Sequence, residues 1–75
     1  MKVKIKTWDK MVKKYGVNGH GNISKHGHPY CFAKEMIYMC GKEVELENVN
    51  SSYDFILGKY DGCYIEKWMV KKNGK

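Results

Sequence analysis

Three histidines and three cysteines hold most of the reactive chemistry in this chain, and their densest group is His26-x-His28-x2-Cys31. Imidazole and thiolate are good zinc donors, and His20 or Cys40 would complete a tetrahedral set. The spacing matches neither C-x2-C nor H-x3-5-H, however, and Cys40 has a core position of its own to fill. Solvated loop histidines and no bound metal are the expectation. As a nucleophilic site, Cys31 with His26 or His28 supplies a thiol and a base, but no acid or amide in the loop stands out as the orienting third group. A chain of 75 residues also rarely encloses a substrate-sized pocket. The expectation is therefore a binding module without a cofactor, not an enzyme.

Charge offers a second kind of chemistry. The net charge is +6 and every basic residue is lysine, so the bidentate arginine forks that read guanine or grip phosphate are missing. Six lysines against Asp9 occupy residues 1 to 16, five acids against Lys42 occupy residues 35 to 54, and five lysines against two acids follow from Phe55 onward. Lys2, Lys4 and Lys6 alternate along one segment, and Glu43, Glu45 and Glu47 alternate along another. If these segments are neighbouring strands, their outer faces form a ladder of opposite charges. If the first strand instead meets the last, Lys2, Lys4 and Lys6 join Lys71 and Lys72 in one basic face, the arrangement that small barrels favour. With Tyr60 and Tyr64 of an aromatic hairpin, these lysines are the candidate contact residues.

The elements that must position them can be read from periodicity. Lys2 to Lys6 alternates as a half-buried strand. Thr7 is placed to cap a helix in which Trp8, Met11, Val12 and Tyr15 share one face, and Gly16 ends it. Val17 to Cys31, rich in Gly, Asn and His, reads as loop with a short strand around Ile23. Phe32, Met36, Met39 and Cys40 predict a second short helix at roughly 33 to 40, closed by Gly41. Glu43 to Glu47 reads as a strand, as does the stretch in which Tyr53, Phe55 and Leu57 alternate on one face. Asp61-Gly62 predicts a type I′ hairpin turn into Cys63-Tyr64-Ile65. Ile65, Trp68 and Met69 fit one helical or 3₁₀ turn, after which Val70-Lys71-Lys72 forms a short last strand and residues 73 to 75 fray. The expected core is Trp8, Met11, Val12, Phe32, Met36, Val44, Leu46, Phe55, Leu57 and Ile65, with Val3 and Ile5 at its edge.

These elements amount to one domain over residues 1 to 75, mainly β with two short helices (α+β). A small SH3-like barrel or a coiled antiparallel sheet of four to five strands would satisfy the pattern. No run approaches the roughly 20 apolar residues of a membrane span, and three sparse cysteines suit reduced thiols, so a cytoplasmic location is expected.

Trp8-x2-Met11-x3-Tyr15-Gly16 and Phe32-x3-Met36-x2-Met39-Cys40-Gly41-Lys42-x-Val44-x-Leu46, followed by an aromatic hairpin and Trp68-Met69, resemble a group of small, mostly uncharacterised phage and prophage proteins of Firmicutes. The resemblance spans nearly the whole chain and implies an SH3-like barrel in a phage accessory protein. It carries over no catalytic motif, and the His-rich segment from His20 to His28 departs from the group's pattern. What it implies is a protein that acts in the host cytoplasm by binding and modulating a host bacterial protein, an anti-defence inhibitor being one such role. The alternative is a small barrel that binds single-stranded nucleic acid by charge and by stacking on Tyr15, Tyr60, Tyr64 and Trp68. The missing arginines and the acidic middle weigh against it.

Overall fold

The alternating apolar residues of the N-terminal segment make it a strand with neighbours on both edges. In the computed structural model, which describes residues 1–71, Lys2–Lys4 (β1) pairs antiparallel with Glu43–Glu45 (β2) in the register Lys2↔Glu45, Val3↔Val44, Lys4↔Glu43. Just beyond β1, the Ile5 N–H donates to Lys42 O on one side at 2.9 Å. On the other side the Lys6 N–H donates to Met69 O, Lys71 N–H donates to Lys4 O, and Ile5 bridges Val70. The first strand therefore has β2 on one edge and the start of the final segment on the other. Ile5 is fully buried between these neighbours rather than at the core's edge, where alternation alone put it. Lys72 and residues 73 to 75 lie outside the described residues.

The helix Trp8–Tyr15 (α1) forms as its end signals dictate. Thr7 Oγ1 accepts from the Lys10 N–H, and Gly16, at φ 77°, donates its N–H to Val12 O at 2.8 Å. The chain then returns through an Ile23↔Phe32 bridge that closes the His-rich loop with two backbone hydrogen bonds. The second expected helix is a 3₁₀ turn, Lys34–Met39. Its buried residues Met36 and Met39 are three apart, and three residues per turn stack them on one edge. Phe32, a further turn back, belongs to the bridge instead.

Ile56–Tyr60 (β3) and Cys63–Glu66 (β4) form the expected hairpin, with Asp61 and Gly62 at φ 51° and 81°. Its register shifts between Ile56↔Glu66 and Gly58↔Ile65, so one extra residue, Leu57, bulges from β3. The bulge ends the alternation read into Tyr53, Phe55 and Leu57: Leu57 packs on the core, Phe55 lies just before the strand against His28, and Tyr53 is exposed. β4 runs into a second 3₁₀ turn, Lys67–Met69.

Among the described residues the fold is thus α+β: one α-helix, two 3₁₀ turns and four strands in two two-stranded antiparallel sheets. Among the described residues these sheets neither merge into one nor close a barrel. The Leu46 N–H still donates to Met1 O, and between the sheets the bridge among the described residues is Glu47 with Lys59, next to the bulged part of β3. At that crossing the backbones are close. A Cβ on Gly58 would sit 2.6 Å from Glu47 O and 2.9 Å from Leu46 Cβ, so only glycine fits.

One apolar cluster fills the interior: Ile5, Met11, Ile23, Phe32, Met36, Met39, Val44, Leu46, Ile65, Trp68 and Met69. Ile23, Met39, Trp68 and Met69 were not expected there, and Phe55 is not among the cluster's members. Trp8, Val12 and Leu57 are only half-buried against it. Among the described residues no helix is long and apolar enough to cross a membrane.

Candidate functional site

The end of β4 carries the most unusual residue of the interior. Glu66 is fully buried, and its carboxylate accepts hydrogen bonds from the Trp68 indole N–H at 2.5 Å and the Tyr30 backbone N–H at 3.3 Å. His28 Nδ1 lies 3.0 Å from the same carboxylate. Phe55 packs on the His28 ring with centroids 4.2 Å apart. Glu66 thereby ties the His-rich loop to the second 3₁₀ turn, two segments 38 residues apart in the chain.

Above this anchored floor lies a groove of about 620 Å³. The strand end contributes Lys6, the last turn of α1 Lys14 and Tyr15, the loop Lys25 and His28, and the second 3₁₀ turn Lys67 and Trp68. Among the described residues no carboxylate lines it. The Lys6 and Lys14 ammoniums lie 6.0 and 5.8 Å from the centroid of the Tyr15 ring. Partial burial first, and then the like charges of Lys14, Lys25 and Lys10, hold the Lys6 ammonium below the usual lysine range. Among the described residues the ion pairs are those of the amino terminus with Glu45 and of His28 with Glu66, and no lysine takes part in either.

The candidate residues named from the sequence fall in different places. Lys6 is in the groove. Lys2 and Lys4 stand opposite Glu45 and Glu43 on the β1–β2 ladder. There the amino terminus, bonded to Glu45 Oε2 at 2.6 Å, holds the Glu45 carboxyl below the usual range, with Lys2 adding to the effect. Lys71 and Lys2 border a second hollow of about 350 Å³, which shares Lys67 and Val70 with the groove. Tyr60 packs on the core, and Tyr64 stacks on Tyr30 at 4.5 Å with the Lys59 ammonium 5.7 Å from its centroid, all on the hairpin side. Lys14, Lys25, Lys67, Phe55 and Glu66 were not named as site residues from the sequence, and His28 was named there only as a zinc donor or a base. Lys14-Tyr15 and Lys67-Trp68, two lysine-aromatic pairs, were the signal that could have found the groove.

The three loop histidines have separate surroundings. His28 turns to Glu66, His26 is exposed, and the His20 N–H bonds to Asn18 Oδ1. Among the described residues no group of three or more His, Cys, Asp or Glu side chains is gathered to hold an ion. Burial pushes the Cys40 and Cys63 thiols up, away from the thiolate that nucleophilic chemistry uses. What the arrangement can do is hold an anion against a cationic, partly desolvated wall. Comparison with protein-family models, with curated proteins and with solved structures finds no match to this chain.

Proposed function

We propose that this protein is a non-enzymatic binding module that docks an acidic surface of a partner protein in its lysine groove. The observation that carries the reading is the convergence of Lys6, Lys14, Lys25 and Lys67 on a groove that, among the described residues, no carboxylate lines. Like charges brought together in this way repel one another, and an anionic partner turns that repulsion into attraction and faster association. The shared wall of Lys67 and Val70 extends the basic surface toward Lys71 and Lys2.

The aromatic rings favour a protein partner over single-stranded nucleic acid. Bases need free ring faces on which to stack. Trp68 is buried, Tyr15 meets it edge-on and lies beneath two ammoniums, Phe55 sits against His28 and Tyr53, and Tyr30 is stacked on Tyr64. The rings that line the groove, Tyr15, Phe55 and Trp68, are thus each engaged by a neighbour, and Tyr53 behind Phe55 stays exposed.

The resemblance to small phage and prophage proteins supports a host bacterial protein as the partner, met in the bacterial cytoplasm, with inhibition of a defence system as one form of that modulation. It also supports an SH3-like reading of the chain path, in which strand, helical insertion, strand, hairpin, 3₁₀ turn and final extended segment follow one another in order.

The test is capture from a bacterial lysate with three baits: the wild type, the Lys6→Glu, Lys14→Glu double variant, and Lys42→Glu as a charge control outside the groove. An acidic protein held by the wild type and the control, and lost by the double variant, is the expected result. A labelled single-stranded oligonucleotide held tightly by the wild type, with the steep salt dependence of several released counterions, would replace this reading with nucleic-acid binding.

A further inference from the structure

We infer that the end of the groove where the Lys6 and Lys14 ammoniums lie over Tyr15, with Lys25 in the same lining, is a recognition site for a phosphate monoester borne on a side chain of the partner protein. The inference rests on the groove being the contact surface, and it names the group that surface selects.

The argument starts from charge. At this end Lys25 joins the two ammoniums flanking Tyr15, near enough to act on Lys6. A carboxylate brings one negative charge and neutralises one of them, leaving the rest in repulsion. A phosphate monoester brings about −1.5 to −2 at neutral pH together with three strong acceptor oxygens, one for each ammonium. Geometry points the same way. A planar carboxylate is matched by the planar fork of arginine, of which this chain has none, whereas lysine binds as a compact point charge and suits the tetrahedral spread of phosphate oxygens.

The surroundings leave the site to the ligand. Glu66, the nearest buried acid beneath the groove, is committed to His28, Trp68 and the Tyr30 N–H. Asp9 borders a different hollow, with Lys10, Val12 and Lys13. The other basic side chains that share the groove with the three lysines are Lys67, cationic as well, and His28, whose Nδ1 is held by Glu66.

The experiment follows backbone amide resonances of the intact chain during titration with inorganic phosphate, with acetate at equal ionic strength, with a phosphoserine peptide and its serine and glutamate counterparts, and with a 5′-phosphorylated oligonucleotide. Phosphate should shift residues around Lys6, Tyr15 and Lys25 in a saturable way, and the phosphoserine peptide should bind about tenfold or more tightly than the glutamate peptide, reflecting the doubled charge. Lys14→Gln and Lys25→Gln should each lose that preference while keeping the dispersed spectrum of the folded chain, and Lys42→Gln should keep it. Equal responses to phosphate and acetate would overturn the inference. If the Lys6→Glu, Lys14→Glu bait still loses its acidic partner in that case, the groove remains the contact surface and only its phosphate selectivity falls. Binding of the oligonucleotide as tight as that of the phosphopeptide would overturn the protein-borne source.

Discussion

Lys4, the last residue of β1, and Lys6, two residues further along the same alternation, live in opposite electrostatic surroundings. Lys4 has Glu43 as its cross-strand partner. Lys6 has Lys14, Lys25 and Lys10 as its charged neighbours, is partly desolvated, and holds its proton less firmly. Along the ladder, opposite charges face one another across β1 and β2, an arrangement worth about 0.2 to 1 kcal/mol per pair and useful mainly for register. Around the groove, like charges have been gathered at a cost to the fold. The period of a strand says which face a side chain takes; the neighbouring elements decide whether that face is neutral surface or binding site.

The largest effect expected breaks both regions at once. Phe32 is fully buried, anchors the bridge to Ile23, and packs its ring 6.2 Å from that of Trp8 at the start of α1. Phe32→Ala should cost about 3 to 5 kcal/mol, a large part of the stability a domain of this size possesses. Chemical denaturation checks it, and a variant that unfolds with the parental midpoint would mean that ladder and groove do not rest on a common core.

A smaller effect is expected where the two sheets touch. With a Cβ, residue 58 would run into the backbone oxygen of Glu47, and backbone does not yield as a side-chain tip does. Gly58→Ala should destabilise by about 1 to 3 kcal/mol, the range for overpacking a tight site. Because Gly58 is remote from the groove lining, anion binding by the folded fraction should match the wild type in the same titration.

Legibility follows the same division. Signals that act within a few residues were readable: the Thr7 cap, the Gly16 stop, the Asp61-Gly62 turn and the alternation of β1 all form as their local chemistry requires. Signals that depend on distant partners were not. Phe55 alternates correctly with Leu57 on paper, but the bulge at Leu57 sends it to His28. Glu66 reads as an ordinary surface acid until the His28 loop, 38 residues earlier, closes over it. The groove joins residues from positions 6 to 70, and nothing in their spacing states that they meet. Trp68 and Met69 were read as a turn, correctly, while their burial depended on where that turn docks.

Charge reversal separates the two lysines directly. Lys6→Glu should weaken binding of inorganic phosphate about tenfold or more, since it replaces attraction by repulsion inside the groove. Lys4→Glu should leave that binding close to parental and instead set two acids opposite each other on the ladder, at a cost of about 0.2 to 1 kcal/mol in stability. Isothermal titration for the first and thermal melting for the second give both numbers. An equal loss of binding in the two variants would show that the ladder lysines belong to the contact surface after all.

The smallest effect is the sharpest test of the comparison, because its sign differs from that of most substitutions. The folded-state pKa of Lys6 lies below its ordinary value of 10.5, so at neutral pH the folded chain keeps a proton that its surroundings disfavour. Between the lowered folded value and 10.5, the unfolded chain binds more protons than the folded one, and stability therefore rises with pH across that window. Below the window both states are protonated and the penalty is present in full. Lys6→Met keeps the apolar stem and removes the charge, so it should raise the melting temperature slightly at neutral pH, with the gain fading as pH climbs toward 10.5. Salt should also shrink the gain, since the repulsion from Lys14, Lys25 and Lys10 is screened within a Debye length of about 10 Å at 0.1 M. The same variant should bind phosphate more weakly. A residue whose removal strengthens the fold and weakens the site is there for the site. If Lys6→Met instead melts below the wild type at neutral pH, the ammonium's contact with the Tyr15 ring outweighs the repulsion, and Lys6 belongs with Lys4 among the residues that hold the structure together.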